Sequence, residues 1–353
     1  MNKRLLDRTC DAIQAVPNDL LSAAQHKIDN KTKPQGALGQ LESLAIQMCL
    51  IQKNLSPRID NKALIVFAAD HGVTEEGVSA FPPEVTAQMV LNFLGGSAAI
   101  NVLCRHNDIK IHIVDMGVNA ELEPHPELID KKIRRGTRNF ALDQAMTREE
   151  AIQALEAGIS CFFDAHAQTP MQILGLGEMG IGNTTCASAM ISAATGIDPE
   201  EATGRGTGVD DTGFRKKVDV IRKALDFHKP DAQDGLDILC KVGGFEVAGI
   251  AGAALAAASE GVAVVLDGII STAAGLVAYL IRPEISGYLI SGHRSVEIGQ
   301  AAALAQMNLE PVVDLNLRLG EGTGAALTID IVSAACRIMR EMASFEEAGV
   351  SDR

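Results

Sequence analysis

The stretch MQILGLGEMGIGNTT, residues Met171 to Thr185, sets an apolar run against four glycines, one carboxylate and two hydroxyls. It reads as a buried strand, a turn and the start of a helix. Gly175, Gly177, Gly180 and Gly182 free the backbone to curl and expose N–H groups, and Asn183 or Thr184 is expected to cap the helix that follows. A strand, a glycine turn and a helix N-terminus together make an anion site. No Walker lysine is present, and the spacing of Gly175, Gly177 and Gly180 matches G-x-G-x-x-G, a weak pattern by itself. The plain alternative is a tight strand-to-helix turn.

Working outward, the same punctuation recurs. ALIVFA leads to Asp70-His71-Gly72, IKIHIV to Asp115-Met116-Gly117, and VAVVL to Asp267-Gly268. GYLI leads to Ser291-Gly292-His293, and PVVDLNL to Arg318-Leu319-Gly320-Glu321-Gly322. Nearly continuous apolar strands are buried on both faces, as in a parallel sheet. Helices are expected between them at 84–105, 148–167, 184–194, 211–228, 246–260, 295–307 and 323–344. The alternation predicts an α/β fold, a doubly wound and mainly parallel six-stranded sheet. Ligands then lie beyond the carboxyl ends of the strands, where the glycine turns gather. Residues 1–55 break the pattern and look helical. They are expected to form a small helical domain with part of 323–353, leaving 56–322 as the catalytic α/β domain.

Composition narrows the partners. The net charge is -14, and without a basic stripe the chain is not a nucleic-acid binder. A small phosphorylated ligand stays open, because backbone N–H groups bind anions locally. Seven cysteines without a C-x-x-C pair suggest reduced thiols in a cytoplasmic protein. The N-terminal segment carries acids and does not read as a signal peptide. Gly261 to Ile281 has the length of a membrane span, but Asp267 within it would cost about 2.5–3.5 kcal/mol at a helix centre. It reads instead as strand, turn and helix, and no membrane span is expected.

Two further glycine clusters offer donors. Thr203-Gly204-Arg205-Gly206-Thr207-Gly208 precedes a helix holding Lys216 and Lys217, and a lysine there supplies a point charge for phosphate. Ser291-Gly292 is the third small-donor turn. Glu178 and Glu321 each sit between glycines at a strand end, so one sheet edge brings both to one pocket, where one serves as a base. A glutamate at a helix start is otherwise a dipole partner. His71 and His112 stand alone, without metal-ligand spacing, and no metal is expected.

GEMGIGNTT, RGTGVDD, ADHGV followed by GVSAFPPEVTAQMV, SGHRS and RLGEGTGAA resemble the nicotinate-nucleotide:dimethylbenzimidazole phosphoribosyltransferase family of cobalamin biosynthesis. The resemblance runs from KPQGALGQLE to the C-terminal helix. It implies a Rossmann-like domain with a small helical domain built from the chain termini, a cytoplasmic homodimer, and no cofactor. It implies attack of a 5,6-dimethylbenzimidazole nitrogen on C1′ of nicotinate mononucleotide, giving α-ribazole 5′-phosphate and nicotinate. By the same resemblance Glu321 is the general base, and Glu178 holds the ribose hydroxyls or assists. The phosphoribosyl group would lie against Gly177, Gly180, Gly182, Asn183, Thr184, Gly206 and Gly208, with Lys217 as cation and Ser291, Gly292 and Arg318 beside it. Ser79, Phe81, Gln88 and Met89 match the base-binding segment, where Phe81 stacks and Gln88 bonds a ring nitrogen.

Two other readings compete. A dinucleotide-dependent oxidoreductase would need an acid about 20 residues beyond the first turn; Glu200 and Glu201 fall there, after Asp198-Pro199. A non-catalytic nucleotide-binding regulator would bind without turnover.

Overall fold

A computed structural model of the chain describes residues 3–206 and 208–351; Thr207 of the second glycine cluster lies outside them. Seven strands form one sheet: β1 (Lys62–Ala69), β2 (Lys110–Gly117), β3 (Leu128–Asp130), β4 (Ile173–Met179), β5 (Ala263–Leu266), β6 (Leu289–His293) and β7 (Pro311–Val313). All pairings are parallel, in the order β3-β2-β1-β4-β5-β6-β7. The order reverses between β1 and β4, so the ligand crevice of a doubly wound sheet belongs at their carboxyl ends.

The expected six strands are thus seven. β3 is three residues long, too short to stand out as an apolar run. β7 ends at Val313 because Asp314 to Gly320 follows an irregular path. The expected helix 84–105 is two helices, Val85–Leu94 and Ala99–His106, parted at Gly95 and at Gly96, whose φ is +73°. Each is too short to cross a bilayer. The helix expected from 295 starts only at Gln300.

Both sheet faces are covered. Phe67 of β1 faces Gly249 in helix Phe245–Ser259, whereas Gly175 of β4 faces Ile329 in helix Thr323–Glu341. A layer outside, helix Arg148–Gln168 starts with a capping box between Thr147 and Glu150. It presses so close on Phe245–Ser259 that a Cβ on Gly158 would lie 2.0 Å from the Gly249 carbonyl oxygen. Leu5–Ala12 packs on this helix pair, and Gln40–Ile51 packs on Thr323–Glu341.

Candidate active site

Two glycines of the opening stretch, Gly177 and Gly180, are bare because backbone meets backbone there. A Cβ on Gly177 would fall 2.3 Å from the carbonyl oxygen of Glu321, and one on Gly180 would fall 2.4 Å from that of Ala69. The last turn therefore lies directly on β4, and the two glutamate-bearing turns are neighbours. Gly182, not Asn183 or Thr184, is the N-cap of helix Asn183–Thr195, with φ +95°. This frees the Asn183 amide, which donates to Glu178 Oε2 instead. Gly292 is bare for a similar reason: its Cβ would meet the Leu266 carbonyl oxygen at 2.7 Å.

Carboxylates converge at this edge. Glu178 is buried at the end of β4. Burial pushes its pKa up to about 8, helped by the charges of Asp267, Glu246 and Glu321. Asp267 directly follows β5 and was expected only to make a turn. It caps helix Thr323–Glu341, accepting from the amides of Gly322 (3.1 Å), Gly324 (2.6 Å) and Ala325 (3.1 Å). Burial raises it to about 7 despite these three bonds.

Glu321 adopts the left-handed φ of +63° between Gly320 and Gly322. Rather than serving its own helix, its Oε2 accepts from Ile100 N–H at 3.2 Å, at the start of helix Ala99–His106. Burial raises its pKa and the Ile100 amide pulls it back. Behind this edge His71 Nε2 pairs with Glu246 Oε1 at 2.6 Å, both side chains fully buried. Burial opposes charge on the ring, yet the Glu246 carboxylate raises the His71 pKa.

A cavity of about 130 Å³ opens beside these groups. Of the residues singled out from sequence, Glu178, Gly180, Asn183, Thr184, Gly206 and Arg318 form its wall. Asp267, His293 and Glu297 join them unforeseen. His293 Nε2 accepts from the amides of Leu315 and Leu317, at 3.2 Å each, which fixes the irregular chain after β7; burial lowers its pKa. Lys217 is fully buried beneath the wall. Its Nζ donates to Thr184 Oγ1 at 3.2 Å and to the Gly204 carbonyl at 3.1 Å, and burial lowers its pKa. Gly206 and Gly208 both have positive φ, and the Arg318 guanidinium lies 3.9 Å from where a Gly208 Cβ would stand. Thr184, Gly206 and Lys217 thus form a cradle fit for an anion.

Other expected residues lie apart. Ser291 lines a separate cavity with Gln47 and Leu309. Ser79, Phe81, Gln88, Met89 and the Glu321 side chain are outside the first cavity's wall. The 79–89 segment is nonetheless moored to β4's turn, since Thr86 Oγ1 accepts from Ile181 N–H at 3.1 Å. Phe81 is 53% exposed. Glu200 and Glu201 start a four-residue helix, Pro199–Ala202, rather than ending a strand, so the acid a dinucleotide fold needs is not there.

Comparison with known proteins follows the same line. A family model described as Phosphoribosyltransferase matches residues 13–350. A relative from Roseiflexus sp. (strain RS-1), named nicotinate-nucleotide–dimethylbenzimidazole phosphoribosyltransferase, is 53% identical over 349 residues, 99% of each chain. A relative of the same name from Citrifermentans bemidjiense is 50% identical over 347 residues, 98% of this chain and 99% of its own. A crystal structure of CobT from Thermus thermophilus is 44% identical and superposes with a TM-score of 0.91, covering 95% of this chain and 100% of its own.

Proposed function

Since the chain belongs to this phosphoribosyltransferase family, we propose that it moves the 5-phosphoribosyl group of nicotinate mononucleotide onto 5,6-dimethylbenzimidazole. The bond from C1′ to the pyridinium nitrogen breaks, and its electron pair returns to nicotinate, which leaves neutral at that nitrogen. No general acid is needed. The benzimidazole nitrogen bonds to C1′ from the opposite face, and its other N–H becomes acidic.

The observation that carries the site reading is a pair of adjacent carboxylates in unlike settings, the usual mark of divided acid–base roles. Glu178, ringed by Asp267, Glu246 and Glu321, is held near 8 and stays mostly protonated at neutral pH. Glu321, whose carboxylate is favoured by the Ile100 amide against the upward push of burial, receives the benzimidazole proton. Glu178, as a neutral carboxyl, donates a hydrogen bond to the ribosyl group. The phosphate occupies the cradle over Lys217, and Arg318 meets the phosphate or the nicotinate carboxylate. The benzimidazole lies on the far side of the β4 turn, between Glu321 and the 79–89 segment, with Phe81 stacked on it. Free thiols throughout the described residues fit the reducing cytoplasm, and we take the working unit to be a homodimer.

The test mixes pure protein, nicotinate mononucleotide and dimethylbenzimidazole and follows nicotinate. Release that depends on the benzimidazole supports the reading, and none refutes it. Glu321→Gln should cut kcat by about 10²–10⁴ with KM for the nucleotide nearly unchanged, as for a lost general base. Full activity in that variant would remove Glu321 from the role.

A further inference from the structure

The anion cradle already holds an anion, and it is part of the chain. Glu297 lies in the short loop between β6 and helix Gln300–Met307. Its Oε1 accepts from Gly206 N–H at 2.7 Å. Its Oε2 is buried without a partner among the described residues, packed so hard on the loop that a Cβ on Gly204 would come within 1.9 Å of it. Lys217 Nζ stands 3.0 Å from the Cβ position of Gly206, on the floor of the same cradle. A carboxylate with one satisfied and one orphaned oxygen, beside a buried ammonium, is the arrangement a phosphate would take with more of its oxygens engaged.

The volumes point the same way. The cavity beside Glu178 holds about 130 Å³, below the roughly 300 Å³ at which ligand sites begin. Across Glu297 lies a second cavity of about 390 Å³, bordered by Thr203, Phe214 and Ile298. Gly206, Glu297 and Arg318 belong to both walls. Withdrawing Glu297 would join the two. Its neighbours Val296 and Ile298 are exposed, so little apolar packing pins the loop in place.

We infer that Glu297 is a resident stand-in for phosphate, closing the cradle in the free protein and displaced when the 5′-phosphate of the donor enters. This rests on the cradle being the phosphate site. The carboxylate leaves Gly206 N–H to the incoming oxygen, and its departure opens the cavity to the ribosyl group. Every phosphate that binds must first win against it.

The experiment measures binding of inorganic phosphate alone, by calorimetry, to the full-length protein, to Glu297→Ala, to Lys217→Ala and to the double variant. Displacement predicts that E297A binds phosphate at least tenfold more tightly than the unaltered chain, and that K217A weakens binding in both backgrounds. Equal or weaker binding by E297A, with K217A still weakening it, would overturn the stand-in and leave the phosphate site intact, Glu297 then serving to shape the loop. Binding indifferent to K217A in both backgrounds would overturn the site and the inference with it. If E297A does not fold, Glu297→Gln decides: it keeps the Gly206 bond and loses the charge, so tighter phosphate binding supports displacement and unchanged or weaker binding overturns it.

Discussion

Replacing Glu178 by Gln tests whether this carboxyl keeps its proton in the folded chain. Its pKa is about 8 in the fold against an ordinary 4.5. That difference corresponds to about 5 kcal/mol of preference for the neutral form. The folded chain holds this proton more tightly than the unfolded chain does. Stability from Glu178 is therefore complete below pH 4.5, and it is lost as pH rises through about 8. A glutamine copies the neutral carboxyl in size, accepts from Asn183 as the acid does, and has no proton to lose. The variant should thus gain on the wild type by about 1.4 kcal/mol for each pH unit between 5 and 8, and no further above that. An unfolding entropy of about 2.1 cal/mol/K per residue makes each kcal/mol worth about 1.4 °C in a chain this long. The two melting temperatures should then diverge by about 2 °C per pH unit. Calorimetric scans of both proteins at half-unit steps from pH 5 to 9 measure this directly. Parallel curves would mean that Glu178 is already ionised at neutral pH, and the division of roles with Glu321 would fail. Nicotinate release supplies a second arm: wild-type turnover should fall above about pH 8, and that fall should be absent in E178Q.

Other consequences are simpler. Lys217→Ala should raise KM for nicotinate mononucleotide tenfold or more with kcat little changed; an unaltered KM would place the phosphate elsewhere. Gly158→Ala puts a methyl group 2.0 Å from the Gly249 carbonyl oxygen and should destabilise the chain by about 3 kcal/mol, read from the midpoint of urea unfolding; an unmoved midpoint would contradict the close helix packing. Burial drives the thiols of Cys104, Cys161 and Cys336 up to about 12, so at pH 8 a disulfide reagent should modify them only after denaturant is added. Rapid modification in the native protein would show that these helices open readily.

The fold was legible where apolar runs were long and ended on glycine. β1, β2, β4, β5 and β6 announce themselves because strands buried on both faces cannot hide their composition. β3 was silent at three residues, and Gly95-Gly96 should have divided the helix after β1, since glycine pairs interrupt helices. At the site, Glu178 and Glu321 were visible because their glycine brackets are unusual. The reason for the brackets was not visible, for it lies in contacts between distant chain segments, Gly177 with Glu321 and Gly180 with Ala69. Asp267 looked like a turn residue because its three amide partners come from a helix start more than fifty residues later. Glu297 carried no local signal at all: a glutamate in a loop is ordinary until Gly206 arrives against it from another part of the chain.

The clustering of acids at this edge would be an odd way to stabilise a fold, since each buried carboxylate raises the cost of ionising the next. It makes sense for a reaction whose charged partners are cations. The donor brings a pyridinium, the ribosyl carbon becomes cation-like as its bond loosens, and the benzimidazole is cationic until Glu321 takes its remaining N–H proton. In the empty site the cluster relieves its own repulsion by holding protons on Glu178 and Asp267, at about 8 and about 7. The Glu321 carboxylate attracts the positive charge that develops nearby, while Glu178 keeps the proton it donates to the ribosyl group. The attraction is then stronger in the transition state than for the resting protein, which is the condition for it to raise the rate rather than merely tighten binding. The backbone amides that grip Asp267 and Glu321 hold the carboxylates in position before any substrate arrives, so little reorganisation is left for the chemical step.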